Sequence, residues 1–393
     1  MFADEQEKRG FARRMSAYYG AIFVIYGIQL PYLPVWLDWR GLTPTEIGVV
    51  AALPLFARIV LTPAVALAAD RAGAHRRAVV LLAWAGVLAA IGLLLAGSLP
   101  LIALAVFLLL VATYSAMPLA ETIALAAVRG GSLDYGRMRL WGSLTFIAAN
   151  VGGGFLLAAY GAGFVGYALL FGALATVLAA HVLAGAGGAV GGASARLPSR
   201  GAALELARSR PFVLLVLAAG AIQASHAVFY AFGVLHWREL GFSAGTTGAL
   251  WAVGVLVEVG VLALSGRAIA VFGARGLLLI GGAAGVVRWT IMALDPPLLV
   301  LLPLQALHAG TFAATHIATV TLAQALAPEG THGTAQAVLS AVNAGIAMGL
   351  AMAASGPLYE AFGSGAYLAM AGLAAMGILA ARMITAPGDQ RAP

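Results

Sequence analysis

The chain contains no cysteine, so a disulfide, a thiolate metal site and a thiol nucleophile are all excluded. Charge is nearly as scarce. Only 9% of the 393 residues are Asp, Glu, Lys or Arg, against 62% hydrophobic, and the mean hydropathy is +0.96. Soluble domains carry roughly a quarter of their residues as charges, so two or three water-soluble domains are ruled out. No glycine loop leads to Gly-Lys-Ser or Gly-Lys-Thr, which excludes a P-loop ATPase within this chain. No HExxH motif or nucleophile elbow supports intramembrane hydrolysis, and no tight spacing of His and acids suits a metal. The reading is therefore of a non-enzyme without a metal.

What is present is a series of apolar runs, near 17–38, 46–69, 76–98, 100–128, 138–160 and 163–185, then 211–234, 244–266, 276–294, 297–324, 333–355 and 363–384. Each can cross a hydrocarbon core about 30 Å thick as a helix. This predicts an all-α integral membrane protein with twelve transmembrane helices. Of the 22 Lys and Arg, two lie in one set of loops (Arg40, Arg238) and two deep in spans (Arg58, Arg288). All the others fall in the tails and at the opposite set of loops, which places those loops and both termini in the cytoplasm. The net charge of +7 thus follows the membrane and does not call for nucleic acid. The apolar stretch after the basic N-terminus is long, carries Pro31 and Pro34 and lacks a small-residue cleavage site, so it reads as an uncleaved first span rather than a signal peptide. Fifty glycines suit helices whose backbones pack closely.

One long polar connection, 186–210, rich in Gly, Ala, Ser and Arg, reads as a cytoplasmic linker. It separates a tail (1–16) and a six-helix half (17–185) from a second half (211–384) and a C-terminal tail (385–393). The halves repeat. Gly41-Leu42-Thr43 and Gly48 recur as Gly241-Phe242-Ser243 and Gly248, and Gly73 recurs as Gly273, all at a shift of 200. Trp39-Arg40 recurs as Trp237-Arg238, and Arg58 falls opposite Glu258. Repeated six-helix units place a substrate near the midplane during alternating access.

The spans also carry charges that cost energy to bury. An Arg inside lipid costs about 2.5–3.5 kcal/mol on insertion scales. Arg139 sits at the inner edge of the fifth span and Glu121 near the end of the fourth, so a short hairpin would bring them in side by side. Glu258 and Arg288 lie deeper, where ionisable residues face a cavity or each other. His308 and Thr315 share a face of the tenth span, and His316 is offset from His308 by about 80°. Gln223, His226 and Tyr230 recur at helical spacing, as do Tyr26 and Gln29; these groups line a pathway or link helices. Trp141, Phe146, Phe229 and Trp251 either stack on a substrate ring or only pack. Trp36, Trp39 and Trp237 read as interface anchors.

The loop Asp70-Arg71-Ala72-Gly73-Ala74-His75-Arg76-Arg77 resembles the signature of the major facilitator superfamily. Asp70 there can cap a neighbouring helix and pair with basic residues, and Gly73 permits the turn. With Arg58, the residues Asp70, Arg71, Gly73, Arg76 and Arg77 are the expected gating and structural set. The second copy, Ser265-Gly266-Arg267 with Gly273 and Arg275, lacks the acid. Finer resemblance comes from Tyr26–Pro31, Tyr135–Ser143, Trp251–Glu258, Arg288-Trp289 and Leu307–His316. Together these look like the 3-phenylpropionic acid transporter group, relatives of lactose permease and of nucleoside–proton symporters.

That resemblance implies a proton-coupled symporter of the bacterial inner membrane. It would import a small organic substrate such as an aromatic carboxylate, with a sugar or nucleoside as the alternative and a non-transporting sensor or assembly factor as a third. Glu121 and Arg139 would hold the substrate, with Tyr26, Gln29, Gln223, His226, Tyr230 and Trp251 around it. Glu258, Arg288, His308 and His316 would serve proton coupling. The family's carboxylate one turn beyond that His is Thr311 here, which leaves Glu258 to carry the proton. The expected partners are the substrate and the lipid bilayer, the expected state is a monomer, and no cofactor besides the proton is implied.

Overall fold

The computed structural model describes residues 5–129, 133–185 and 200–385. Among them every regular element is helical. The first half holds α1 (Glu5–Trp39), α2 (Pro44–Ala72), α3 (His75–Leu95), α4 (Leu99–Arg129), α5 (Tyr135–Tyr160) and α6 (Phe164–Ala184). Residues 5–16 of the expected N-terminal tail are helical and continuous with α1; residues 1–4 lie outside the described residues. A short α7 (Arg200–Arg208) occupies the end of the expected linker; residues 186–199 of that linker and 386–393 of the expected C-terminal tail lie outside the described residues.

The second half holds α8 (Arg210–Ala224), α9 (Ala227–Glu239), α10 (Ala244–Ala263), α11 (Ser265–Met292), α12 (Leu298–Ala306), α13 (Thr315–Leu326), α14 (His332–Leu339), α15 (Met348–Phe362) and α16 (Ala366–Arg382). Three expected spans are interrupted helices. α8 and α9 meet at Ser225–His226, while π-helical turns, Ala309–Ala314 and Ser340–Ala347, interrupt the tenth and eleventh spans. Among the described residues eleven runs are apolar and long enough to cross a bilayer. The last, His332–Arg382, contains two crossings, because Gly363 at φ +53° turns the chain between α15 and α16.

The internal repeat is written in the backbone. Leu42 N–H bonds Leu37 C=O and Gly41 N–H bonds Asp38 C=O, and the same pair recurs from Phe242 to Trp237 and from Gly241 to Arg238. This is the double bond that closes a helix on a left-handed glycine; Gly41 and Gly241 sit at φ +83° and +87°. Gly73 and Gly273, at +58° and +65°, match as well. Gly273 breaks α11 near its start. After each outer turn a side-chain box opens the next helix: Thr43 with Glu46, and Ser243 with Thr246.

Contacts divide the chain into two compact units: Met1–Leu42, Phe56–Arg196 and Ser243–Gly248 in the first, Thr43–Leu55, Leu197–Phe242 and Ala249–Pro393 in the second. The division departs from a clean cut at the linker, since the first turns of α2 and of α10 are exchanged. The repeated glycines explain this. In the second unit a Cβ on Gly48 would meet Met352 O at 2.9 Å, and one on Gly356 would meet Thr45 Cα at 2.7 Å. In the first unit a Cβ on Gly248 would meet Asn150 O at 2.6 Å and Tyr32 Oη at 2.7 Å. Tyr32 itself donates to that Asn150 carbonyl. Gly356→Ala should therefore cost about 1–3 kcal/mol through overpacking and lower the melting temperature. Gly372→Ala, with nothing within 4 Å of the added carbon, should not.

Candidate functional site

Within the second unit one polar network runs through the apolar interior. Arg288, on α11, is fully buried. Its Nη2 donates to Gln305 Oε1 at 2.8 Å and its Nη1 to His308 Nδ1 at 3.1 Å. A guanidinium only donates, so His308 Nδ1 accepts and the ring proton is on Nε2. That nitrogen faces Glu258 Oε2 at 3.3 Å. The guanidinium also lies over the rings of Phe229 and Trp289, 4.7 and 4.5 Å from their centroids.

The network continues through Thr311, on the π-helical turn that follows His308. Its hydroxyl is 2.9 Å from His226 Nε2, 3.1 Å from the His308 carbonyl and 3.5 Å from Arg288 Nη1. His226 Nδ1 donates to the Gln223 carbonyl at 3.0 Å, which leaves Nε2 to accept from Thr311. The residue standing where the family has a carboxylate is thus a full member of the chain of hydrogen bonds. His226 sits at the α8–α9 break. There Ser225 donates to Ile222 O and accepts from Trp289 Nε1 at 2.7 and 2.9 Å, satisfying groups that the interrupted helix frees.

Aromatic rings wall this network. Tyr230 stacks on His226 at 5.4 Å, and Trp251 stacks on Phe229 at 4.7 Å. The Gln223 side chain, partly exposed, enters through its backbone only. His316 makes no hydrogen bond or ion pair among the described residues, but it lies near enough to Glu258 for that carboxylate's charge to act on it. The donors Arg288 Nε, Gln305 Nε2 and Trp251 Nε1 are buried and unpartnered, so this corner of the protein is rich in donors.

The first unit holds a ladder of rings. Arg58 lies over Tyr114 (5.1 Å), Tyr114 stacks on Tyr26 (6.0 Å), Tyr26 touches Phe23 (5.2 Å), and Arg139 lies over Phe23 (4.1 Å) and Tyr19 (5.5 Å). Gln29, buried, lies one turn beyond Tyr26 on α1. Glu121 accepts from Tyr135 at 3.3 Å, and Tyr135 meets Tyr19 edge-on. Glu121 and Arg139 thus flank the same two rings, Tyr135 and Tyr19, as the expected side-by-side entry requires, but no ion pair joins them among the described residues, and the guanidinium is seated on ring faces. Arg58 belongs to this ladder rather than to the Asp70 loop.

In that loop Asp70 Oδ1 is 2.7 Å from His75 Nε2, both buried, and Gly73 supplies the left-handed turn. Ala74, which opens α3, has no capping side chain, and Asp70 pairs with the His75 ring in the first turn of that helix. Arg71 lies in the last turn of α2; Arg76 and Arg77 open α3. The tryptophans are also corrected: Trp39 is exposed, but Trp36 and Trp237 are both 1% exposed and belong to the interior.

A second cluster escaped sequence reasoning. His236 Nε2 is 2.6 Å from Asp295 Oδ1, and its Nδ1 is 2.9 Å from Tyr359 Oη, which donates to Glu239 at 2.8 Å. Ser364 holds the other Asp295 oxygen at 3.2 Å. These bonds fix Asp295 at φ +50°, the only left-handed non-glycine among the described residues. The partners lie up to 123 residues apart, and no local motif marks them.

The sequence matches the MFS_1 like family over residues 12–369. It is 33% identical to the Probable 3-phenylpropionic acid transporter of Escherichia coli (strain K12), over 91% of this chain and 94% of that one. The chain belongs to the MFS_1 like family. It is also 32% identical to the Maltose permease of Geobacillus stearothermophilus, over 91% of each. Its fold is that of the nucleoside transporter NupG, with a TM-score of 0.82 at 14% identity over 95% of this chain and 98% of that one. The chain is thus a multi-pass membrane protein with the major facilitator fold, and its relatives are membrane transporters.

Proposed function

We propose that this protein is a proton-coupled symporter that imports a small aromatic carboxylate across the bacterial inner membrane by alternating access. The observation that carries the reading is the network of the second unit. It joins a carboxylate, Glu258, through a buried histidine to a buried guanidinium, beside donors that lack acceptors. A carboxylate supplies what those donors lack, in charge-assisted form, and the rings of Phe229, Tyr230 and Trp251 suit an aromatic body. The relative whose name specifies 3-phenylpropionic acid points the same way. In the second unit Glu258 takes the proton, and His308 and Arg288 set its environment; in the first unit Arg139, on its ring ladder, is the guanidinium proposed to meet substrate.

A sugar is the second reading, favoured by the similarity to a maltose permease; hydroxyl oxygens also accept from the same donors. A competition series separates the two. In proteoliposomes loaded with 3-phenylpropionate, exchange of labelled 3-phenylpropionate should be blocked by unlabelled phenylpropionate and be indifferent to maltose or uridine. Block by maltose, with none by phenylpropionate, would reverse the order. Arg139→Ala should slow the exchange about 10- to 100-fold, the cost of one charge-assisted contact of about 1.5–3 kcal/mol.

A further inference from the structure

We infer that the groove between the first turns of α1 and α5 is a binding site for one anionic phospholipid. The groove encloses about 1070 Å³ in the first unit. Its rim carries Arg9 and Arg13 from α1 and Arg137 from α5, all exposed and none in an ion pair among the described residues. The two acids at the rim are engaged: Glu5 with Lys8 at 2.6 Å, and Asp134 with the Arg137 backbone N–H at 3.1 Å. The rim therefore sets three guanidiniums and Lys8 against two carboxylates, Glu5 and Asp134, and is net positive.

Below the rim the lining turns apolar. Arg9, Arg13, Ala17, Gly20 and Val24 follow one another at helical spacing along α1, and Arg137, Trp141 and Thr145 do so along α5. At 1.5 Å per residue, Arg13 to Val24 spans about 16 Å, the length of much of an acyl chain. Small residues on α1 make the trough, and Trp141, 54% exposed, forms its wall. A phosphate on the arginines with a chain along the trough satisfies both ends. The lining thus matches an amphiphile better than a soluble anion. Basic pockets between membrane helices bind anionic headgroups in this manner. Arg137 and Arg139 are two positions apart, about 200° around α5, so the lipid arginine and the ring-seated arginine serve opposite faces of one helix.

Native mass spectrometry of the full chain, titrated with phosphatidylglycerol and phosphatidylcholine of equal chain length, tests this. One phosphatidylglycerol should be retained per chain, about tenfold over phosphatidylcholine. The variant Arg9→Gln/Arg13→Gln/Arg137→Gln, altered only at exposed positions, should lose that preference. Ala17→Phe, which keeps every charge but fills the trough at an exposed residue, should lose it too. Glycerophosphoglycerol, the headgroup without chains, should not compete. Equal retention of both lipids, an unchanged preference in either variant, or full competition by the headgroup alone would overturn the inference.

Discussion

Glu258→Gln is expected to abolish gradient-driven accumulation while leaving exchange of preloaded substrate intact. Each pH unit is worth about 1.4 kcal/mol per proton, a factor of ten. A one-proton symporter working across two units therefore accumulates substrate up to about 100-fold. Glutamine is isosteric and still accepts from His308 Nε2, so the 3.3 Å contact and the fold survive. What it cannot do is gain and lose a proton. Accumulation should fall to about unity on the same scale, while exchange, which needs no net proton movement, continues. Unimpaired accumulation would remove Glu258 from coupling. Loss of exchange as well would assign it to substrate binding.

Arg288→Lys should be nearly as severe, for a different reason. Lysine keeps the charge but loses the planar fork that reaches Gln305 and His308 at once and lies over the rings of Phe229 and Trp289. Hydrogen bonds to a charged group contribute about 1.5–3 kcal/mol each. Losing one to the substrate, with His308 no longer held, should weaken substrate affinity about 10- to 100-fold. The readout is the half-saturation of exchange, with a melting curve as the control for folding. Wild-type affinity in a folded Arg288→Lys protein would show that the guanidinium braces the helices and does not meet substrate.

Much of the fold was legible because the physics acts locally. Twenty apolar residues make a crossing whatever surrounds them, and the glycines at 41, 73, 241 and 273 mark turns that only a left-handed residue closes. The repeat of Gly48 as Gly248 was visible as a pattern. Its cause, close approach at exchanged helix starts, is a tertiary fact. The grouping of Glu258, Arg288 and His308 in the second unit was readable because ionisable residues are rare in spans and stand out; His226 was readable only as a polar residue of its own span. Its wiring was not.

The interruption at Ser225–His226 lies inside a continuous apolar run. It forms because Ser225 and Trp289 satisfy each other 64 residues apart. Arg139 invited a carboxylate partner by charge alone, yet ring faces supplied by α1 take that place. The cluster of His236, Asp295, Tyr359 and Glu239 had no signal at all, since its members meet only after two helices and a loop have packed.

The most direct test is uptake of labelled 3-phenylpropionate into proteoliposomes, with and without an inward proton gradient, beside empty liposomes under the same gradient. Aromatic acids cross bilayers in their protonated form, so the difference between protein-bearing and empty vesicles is the quantity that counts. Accumulation that requires both protein and gradient, and collapses when a protonophore is added, is the predicted result. Protein-dependent entry that ignores the gradient would contradict coupling, and equal uptake in empty vesicles would contradict the aromatic-acid reading itself.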